Sequence, residues 1–314
     1  MLTACNTESE KKDSAPKKIS VVATIYPQYD WLKNVIGERA DAVDLKLLVK
    51  NGTDLHSYKP SAKDIATIAK ADLVVYVGGE SDEWIEKALE ATPKEGRIAL
   101  NLMKALGDHV KKEEIVEGMQ VETKENAEEH HHHEEVENDE HIWLSIVAAK
   151  YLLSDIAIAL AKIDTANAET YWTNASDYSV KLNELDDDYA GALPDREVTI
   201  LFGDRFPFRY LVDDYGIKYY AAFAGCSAES EASFETVTFL ANKMDSLALP
   251  AILTIDGSDG KIARAILEAS KNSKNAQVLT LNSMQSVTDE QIKAGVDYLS
   301  IMRDNLEVLK KALK

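Results

Sequence analysis

Histidine is scarce in this chain, yet five of its seven histidines crowd into residues 130–141, within the run EEHHHHEEVENDEH. His130, His131, His132 and His133 are consecutive, acids flank them from Glu128 to Glu140, and His141 closes the run. Neutral imidazoles and carboxylates are donors that zinc and similar divalent ions accept. A stretch with almost no apolar content cannot bury a core, so it reads as a mobile loop able to capture metal. The plainer reading is a solvated acidic loop or a tag. A mid-chain position between ordered-looking segments argues against a tag.

Two histidines, His56 and the His141 that closes the run, have the right setting for a single bound ion. His56 lies in NGTDLHSYKPSAKD, between a predicted strand and a predicted helix, where ligand-binding residues collect. His141 opens a predicted helix beside Trp143. Taken singly, His56 reads as an exposed bystander and His141 as a cap; together they make a mononuclear metal site reasonable. Other chemistries lack their signatures. There is no G-x-S-x-G, no H-E-x-x-H and no nucleotide-binding glycine loop, since Gly78-Gly79 ends a strand without the rest of the fingerprint.

The elements that must hold these residues form a repeating pattern. Predicted strands fall at 18–23, 43–49, 73–77 and 97–100, with helices at 29–36, 61–69 and 82–91. Residues 142–162 and 166–191 read as two long helices, the second spanning roughly 35–40 Å at 1.5 Å per residue. The alternation then restarts, with strands at 197–202, 218–223, 251–255 and 277–281, helices at 208–215, 234–246 and 261–270, and a terminal helix at 293–313. This predicts an α/β protein of two lobes, each a mainly parallel sheet flanked by helices, joined by one long rigid helix. The expected divisions are a tether at 1–17, an N-terminal lobe at 18–165 carrying the histidine-rich loop at 126–141, a linking helix at 166–193, and a C-terminal lobe at 194–314. Ligands of such sheets sit beyond the carboxyl ends of the strands, here in the cleft between lobes.

Composition narrows the partners. Apolar residues make up 45% of 314, enough for two cores. A net charge of −19 argues against nucleic acid and anionic membrane surfaces and favours cations. The two cysteines, Cys5 and Cys226, are too few to define a redox compartment. No run of about 18 apolar residues suggests a membrane span. Leu2-Thr-Ala-Cys5 has the form of a bacterial lipoprotein cleavage box, and the polar NTESEKKDSAPKK after it reads as a tether. We therefore expect a trimmed leader, a lipidated Cys5 and a domain held at the outer face of a cell membrane.

Four segments give the chain a family likeness: VVATIYPQYDWLKNV, NGTDLHSYKPSAKDIATIAKADLVVYVGGESDEW, HIWLSIVAAKYL and AGVDYLSIMRDNLEVLKKAL. In this order, spread over nearly the whole chain, they resemble the metal-binding receptors of zinc/manganese-type ABC importers, and the acidic histidine loop resembles that of the zinc-specific branch. The likeness implies two lobes about a rigid helix and one ion held between them, delivered to an ABC permease and its ATPase. It also implies a monomeric extracytoplasmic protein that is not an enzyme.

Carried over by position, the likeness makes His56 and His141 two ligands. The third ligand stands three residues before the Phe of a Phe-x-Tyr motif, and here Phe208-Arg209-Tyr210 puts Arg205 there. A guanidinium cannot ligate a cation. The fourth position, near LNSMQS, holds Gln285, a weak carbonyl donor at best. The site must be rebuilt or lost. Candidates are Cys226, in AAFAGCSAESE, together with Asp204 and the acids Glu229 and Glu231, one of which Arg205 could orient. The alternative for Cys226 is a small buried residue. The expected set is His56, His141 and Cys226, with Asp204 or Glu231 fourth. Nitrogen and sulfur donors favour Zn2+ over Mn2+. Two other readings stay open: a zinc hydrolase using the same cleft with Glu231 as base, and a surface adhesin or metal buffer without a permease.

Overall fold

The computed structural model describes residues 18–120, 137–193, 197–227 and 231–313. Cys5, His130, His131, His132, His133 and Glu229 lie outside the described residues. In the N-terminal lobe, strands β1 (Ile19–Ala23), β2 (Val43–Leu47), β3 (Leu73–Tyr76) and β4 (Ile98–Asn101) are separated by α1 (Tyr26–Ile36), α2 (Ala62–Lys70) and α3 (Glu83–Ala91). The strands pair in parallel, in the order β2-β1-β3-β4. After the short α4 (Leu102–Leu106) and the stretch containing the histidine run come α5 (Ile146–Ile163) and the long α6 (Ala168–Ala192). The C-terminal lobe repeats the plan. Strands β5 (Thr199–Phe206), β6 (Lys218–Ala224), β7 (Ala251–Ile255) and β8 (Gln277–Leu281) pair in parallel as β6-β5-β7-β8. Around them lie α7 (Arg209–Asp214), α8 (Phe234–Leu247), α9 (Lys261–Ala269), α10 (Asp289–Lys293) and α11 (Tyr298–Ala312).

The inner strands are short and apolar on both faces because each sheet is covered twice at its centre, while the edge strands β2 and β8 keep exposed polar residues. In β1, Val21 and Ala23 face one core while Val22 faces another with Ile68 of α2 and Ile85 of α3. In β5, Ile200 and Phe202 face the first core, and Leu201 joins Leu240 and Met244 of α8 and Ile266 of α9. The first core is shared by the two lobes. It contains Trp31 and Leu32 of α1, Leu152 and Ile156 of α5, Leu211 of α7 and Met302 and Leu306 of α11. Helix α6 runs along it, burying Tyr171, Ala175, Tyr178, Leu182, Leu185 and Tyr189. Their alternating spacing of four and three residues is one apolar stripe of a straight helix.

Two expectations change. The predicted helix at 142–162 starts late: Ile142–Leu144 form a 3-10 turn, and Ser145 caps α5 by accepting from the Ala148 amide. The predicted terminal helix at 293–313 also starts late: α10 ends at Lys293, and α11 begins at Tyr298, where the Asp297 carboxylate accepts from the Ser300 amide.

Candidate metal centre

Three loops bring the site together from opposite sides of the cleft. Asp54 caps the 3-10 turn Leu55–Ser57 after β2, its Oδ1 accepting from the His56 amide at 2.9 Å, and so fixes His56. Residues 111–113 and 137–139 form a short antiparallel ladder, Lys112 bridging Asn138, that delivers the chain to His141. Cys226 follows β6 directly. Gly225, just before it, lies so close that a Cβ there would stand 2.8 Å from the Phe206 carbonyl oxygen and 3.1 Å from the His141 ring. Absence of a side chain at 225 is what lets Cys226 reach the histidines.

Among the described residues, one group of His, Cys and acidic side chains converges as metal donors do: His56, His141 and Cys226, with ligand atoms all within 4.8 Å of one another. The two imidazole Nε2 atoms are 3.1 Å apart. Each ring is held by its other nitrogen, His56 Nδ1 lying 2.7 Å from Ser81 Oγ and His141 Nδ1 2.8 Å from Asp139 Oδ1. In the Nδ1-protonated tautomers both rings donate outward and aim Nε2 lone pairs at each other, an arrangement that only a proton or a metal between them relieves. Two nitrogens on a tetrahedral zinc, with Zn–N of about 2.0–2.1 Å, stand about 3.3 Å apart.

Outer partners fix this geometry. Asp139 holds His141 directly, through both Nδ1 and the backbone amide at 2.8 Å. Glu140 works through Ser81: its Oε1 accepts from the Ser81 amide at 3.0 Å, and Ser81 holds His56. Gly79 makes room, since a Cβ there would sit 2.5 Å from Glu140 Oε1. Consecutive residues thus set the two rings. Asp139 and Glu140 are 2% and 3% exposed, which corrects the expectation of a solvated acidic loop running through Glu140.

The electrostatics suit a cation. Burial, and then the charge on His141, push His56 down to about 3, so its ring is neutral at ordinary pH and its lone pair is free. Burial foremost, then the charges of Glu113, Asp139 and Glu140, push the Cys226 thiol far above its usual range. Glu113 also accepts from the Cys226 amide at 3.0 Å. A metal ion among these acids would offset their repulsion of the thiolate.

The remaining predicted residues sit differently. Asp204 and Glu231 join His56, Arg205 and Ser227 in lining an open cavity of about 560 Å³ between the lobes, but neither belongs to the converging group. Asp204 Oδ1 accepts from the Arg205 amide at 2.9 Å, and burial raises its carboxyl. Glu231 is exposed on the rim. Among the described residues, the Arg205 guanidinium pairs with neither Asp204 nor Glu231. A register shift in β5 between Phe202 and Arg205 precedes it, and its Nη2 meets Asp54 Oδ2 of the other lobe and, at 2.9 Å, Gln285 Oε1. Sequence reasoning missed Ser81, Glu113 and Asp54 in these roles. Asp54 and Asp139, each two residues before a histidine, carried a legible signal.

Comparison with known proteins fits this geometry. Residues 21–312 match the family described as zinc-uptake complex component A, periplasmic. The chain is 33% identical over 313 residues to the zinc-binding lipoprotein AdcA of Streptococcus pneumoniae strain R6, covering 99% of this chain and 58% of that protein, so it spans little more than half of that relative. It is 29% identical over 315 residues to the high-affinity zinc uptake system protein ZnuA of Bacillus subtilis, covering 100% of this chain and 94% of the relative. The crystal structure of the Zn(II)-bound ZnuA-like domain of S. pneumoniae AdcA superposes with a TM-score of 0.72 at 29% identity, over 94% of this chain and 99% of that one. In fold and in sequence over nearly its whole length, the chain belongs to the zinc-uptake complex component A family.

Proposed function

We propose that this protein is an extracytoplasmic receptor that binds one zinc ion between its lobes and delivers it to an ABC permease driven by its ATPase. The observation that carries the reading is the convergence of two outward-anchored imidazoles on one thiol. His56 Nε2, His141 Nε2 and Cys226 Sγ supply three donors, and solvent from the adjoining cavity completes a tetrahedron. Asp204 is held by its own hydrogen bonds and Glu231 stands at the rim, so they act as acids that draw cations into the cleft. Zinc is favoured over manganese because the donors are nitrogen and sulfur. Residues 130–133 capture metal more weakly, and Cys5 carries a lipid that ties a monomeric receptor to the cell membrane. Among the described residues no helix is long and apolar enough to cross a membrane.

Cobalt substitution tests the centre. The cobalt form should show an intense near-ultraviolet thiolate band that Cys226→Ser abolishes. A spectrum without that band would remove Cys226 from the site. Deleting residues 128–136, which leaves Asp139 and Glu140 in place, should lower the number of zinc ions bound while leaving one tight equivalent. Loss of the tight equivalent would make the loop the main site.

A further inference from the structure

We infer that Arg205 sets the metal preference of the cleft by occupying, as a resident cation, an oxygen-donor position that would otherwise welcome manganese. This rests on the reading that His56, His141 and Cys226 hold the ion. Two oxygen acceptors from opposite lobes, Asp54 Oδ2 and Gln285 Oε1, converge on the single nitrogen Nη2 of Arg205. Convergence of a carboxylate and an amide carbonyl on one positive centre is the arrangement that hard divalent ions seek. Here the positive centre is a side chain. The guanidinium is largely buried, its side chain 15% exposed, and it lines the same cavity as His56 and Asp54.

The consequence follows from donor chemistry. Asp54 is two residues from His56, and its other oxygen already caps the turn that carries His56. With Arg205 engaging Oδ2 and the Gln285 carbonyl, both oxygens are kept for the guanidinium, and the ion meets two nitrogens and a sulfur. Thiolate and imidazole suit zinc, whereas manganese needs carboxylate and carbonyl oxygen. The fixed positive charge of Arg205 repels either divalent ion alike, so the discrimination lies in the oxygen donors it withholds. The residue thus acts on selectivity without touching the metal.

The test uses the full chain and measures zinc and manganese affinities by competition with a chromogenic chelator. Arg205→Met and the polar Arg205→Gln are studied together, so that a fold defect in one leaves the other. Either change should tighten manganese binding by about 10-fold or more, in the range by which outer partners alter metal sites. Zinc should change less, so the preference for zinc shrinks. Adding Asp54→Asn, which keeps an oxygen to cap the His56 turn, should return manganese to its starting affinity. An unchanged zinc-to-manganese ratio in both Arg205 variants, or a manganese gain that survives Asp54→Asn, would overturn the inference. His141→Ala and Cys226→Ser serve as separate controls. Zinc binding that persists in both defeats the underlying site, whereas its loss in both, with an unaltered ratio at Arg205, defeats the role of Arg205 alone.

Discussion

The two walls of the cleft are built on different principles. On the N-terminal side, His56 and His141 are each locked through Nδ1 by a partner, and successive buried acids, Asp139 and Glu140, set both rings. On the C-terminal side, the thiol comes from the loop after β6, held by the Glu113 carboxylate that reaches across from the other lobe, and the charged group beside it is a guanidinium. One wall is prearranged for a cation before any arrives. On the proposed reading, the other decides which cation stays, and exchanging that facing half alone would change the preferred ion.

Four experiments sharpen or break that contrast, from the largest expected effect on zinc binding to the smallest. His141→Ala removes a fully buried donor, and zinc affinity measured by competition should fall roughly 10²–10³-fold, one donor's share of the 10–16 kcal/mol typical of tight zinc sites. A fall of less than about 10-fold would deny the prearranged wall its importance. Asp139→Asn keeps the shape but weakens the hold on His141 Nδ1, and should cost about 10- to 100-fold. If affinity is unchanged, the lock is ornamental and the two walls are alike.

Gly225→Ala probes the seam between the walls. The added methyl meets the Phe206 carbonyl and the His141 ring, so it should destabilise the fold by about 1–3 kcal/mol in chemical denaturation and push Cys226 away from the histidines. Normal stability with normal zinc binding would mean that the close approach has no role.

Asp30 lies away from both walls and should leave zinc affinity unaltered. Its Oδ2 accepts from the Tyr298 amide at 3.2 Å and the Tyr178 hydroxyl at 3.3 Å, and burial raises its carboxyl to about 6. A carboxyl raised in the fold contributes stability that is full below its unfolded value near 3.8 and is lost as pH rises through about 6. The melting temperature should therefore carry a decline between pH 4 and 6 that Asp30→Asn lessens by a few degrees, the remainder belonging to Asp214 and Asp82, which burial raises to about 6 and about 7. An identical pH profile in the variant would contradict the burial.

The parts of the molecule written in local pattern were legible before the structure. Short apolar strands such as 73–77 and 251–255 fall where alternation with helices put them, because a doubly covered strand has to be apolar throughout. The long α6 announces itself by its apolar stripe and lack of internal proline. His56 and His141 were legible because histidine is rare in the chain and both stand at element junctions. What stayed hidden depends on distant pairing. Nothing near Arg205 says that its partner is Asp54, 151 positions away, nor does Glu113 look different from any other surface acid. Ser81 gains its role only through Glu140, which the sequence presents as one more charge in a solvated run. The end of β5 was also missed, since the predicted strand stops at 202 yet the observed one continues through Gly203-Asp204-Arg205 to Phe206 with a register shift.

Helix α11 has a consequence for how the molecule comes into being. Its first residue, Tyr298, donates its hydroxyl to the Trp143 carbonyl at 2.8 Å and offers its amide to Asp30, while Tyr26 donates to the Val296 carbonyl at 2.6 Å. The first helix after β1 is thus finished by residues made some 270 positions later. A ribosome releasing this chain from its amino end cannot complete the first lobe and then begin the second. Any chain halted before Tyr298 leaves the Asp30 carboxyl and the aromatic floor under Trp31 without their closing piece. Folding of the two lobes is coupled through these contacts, and they should melt in one transition rather than two.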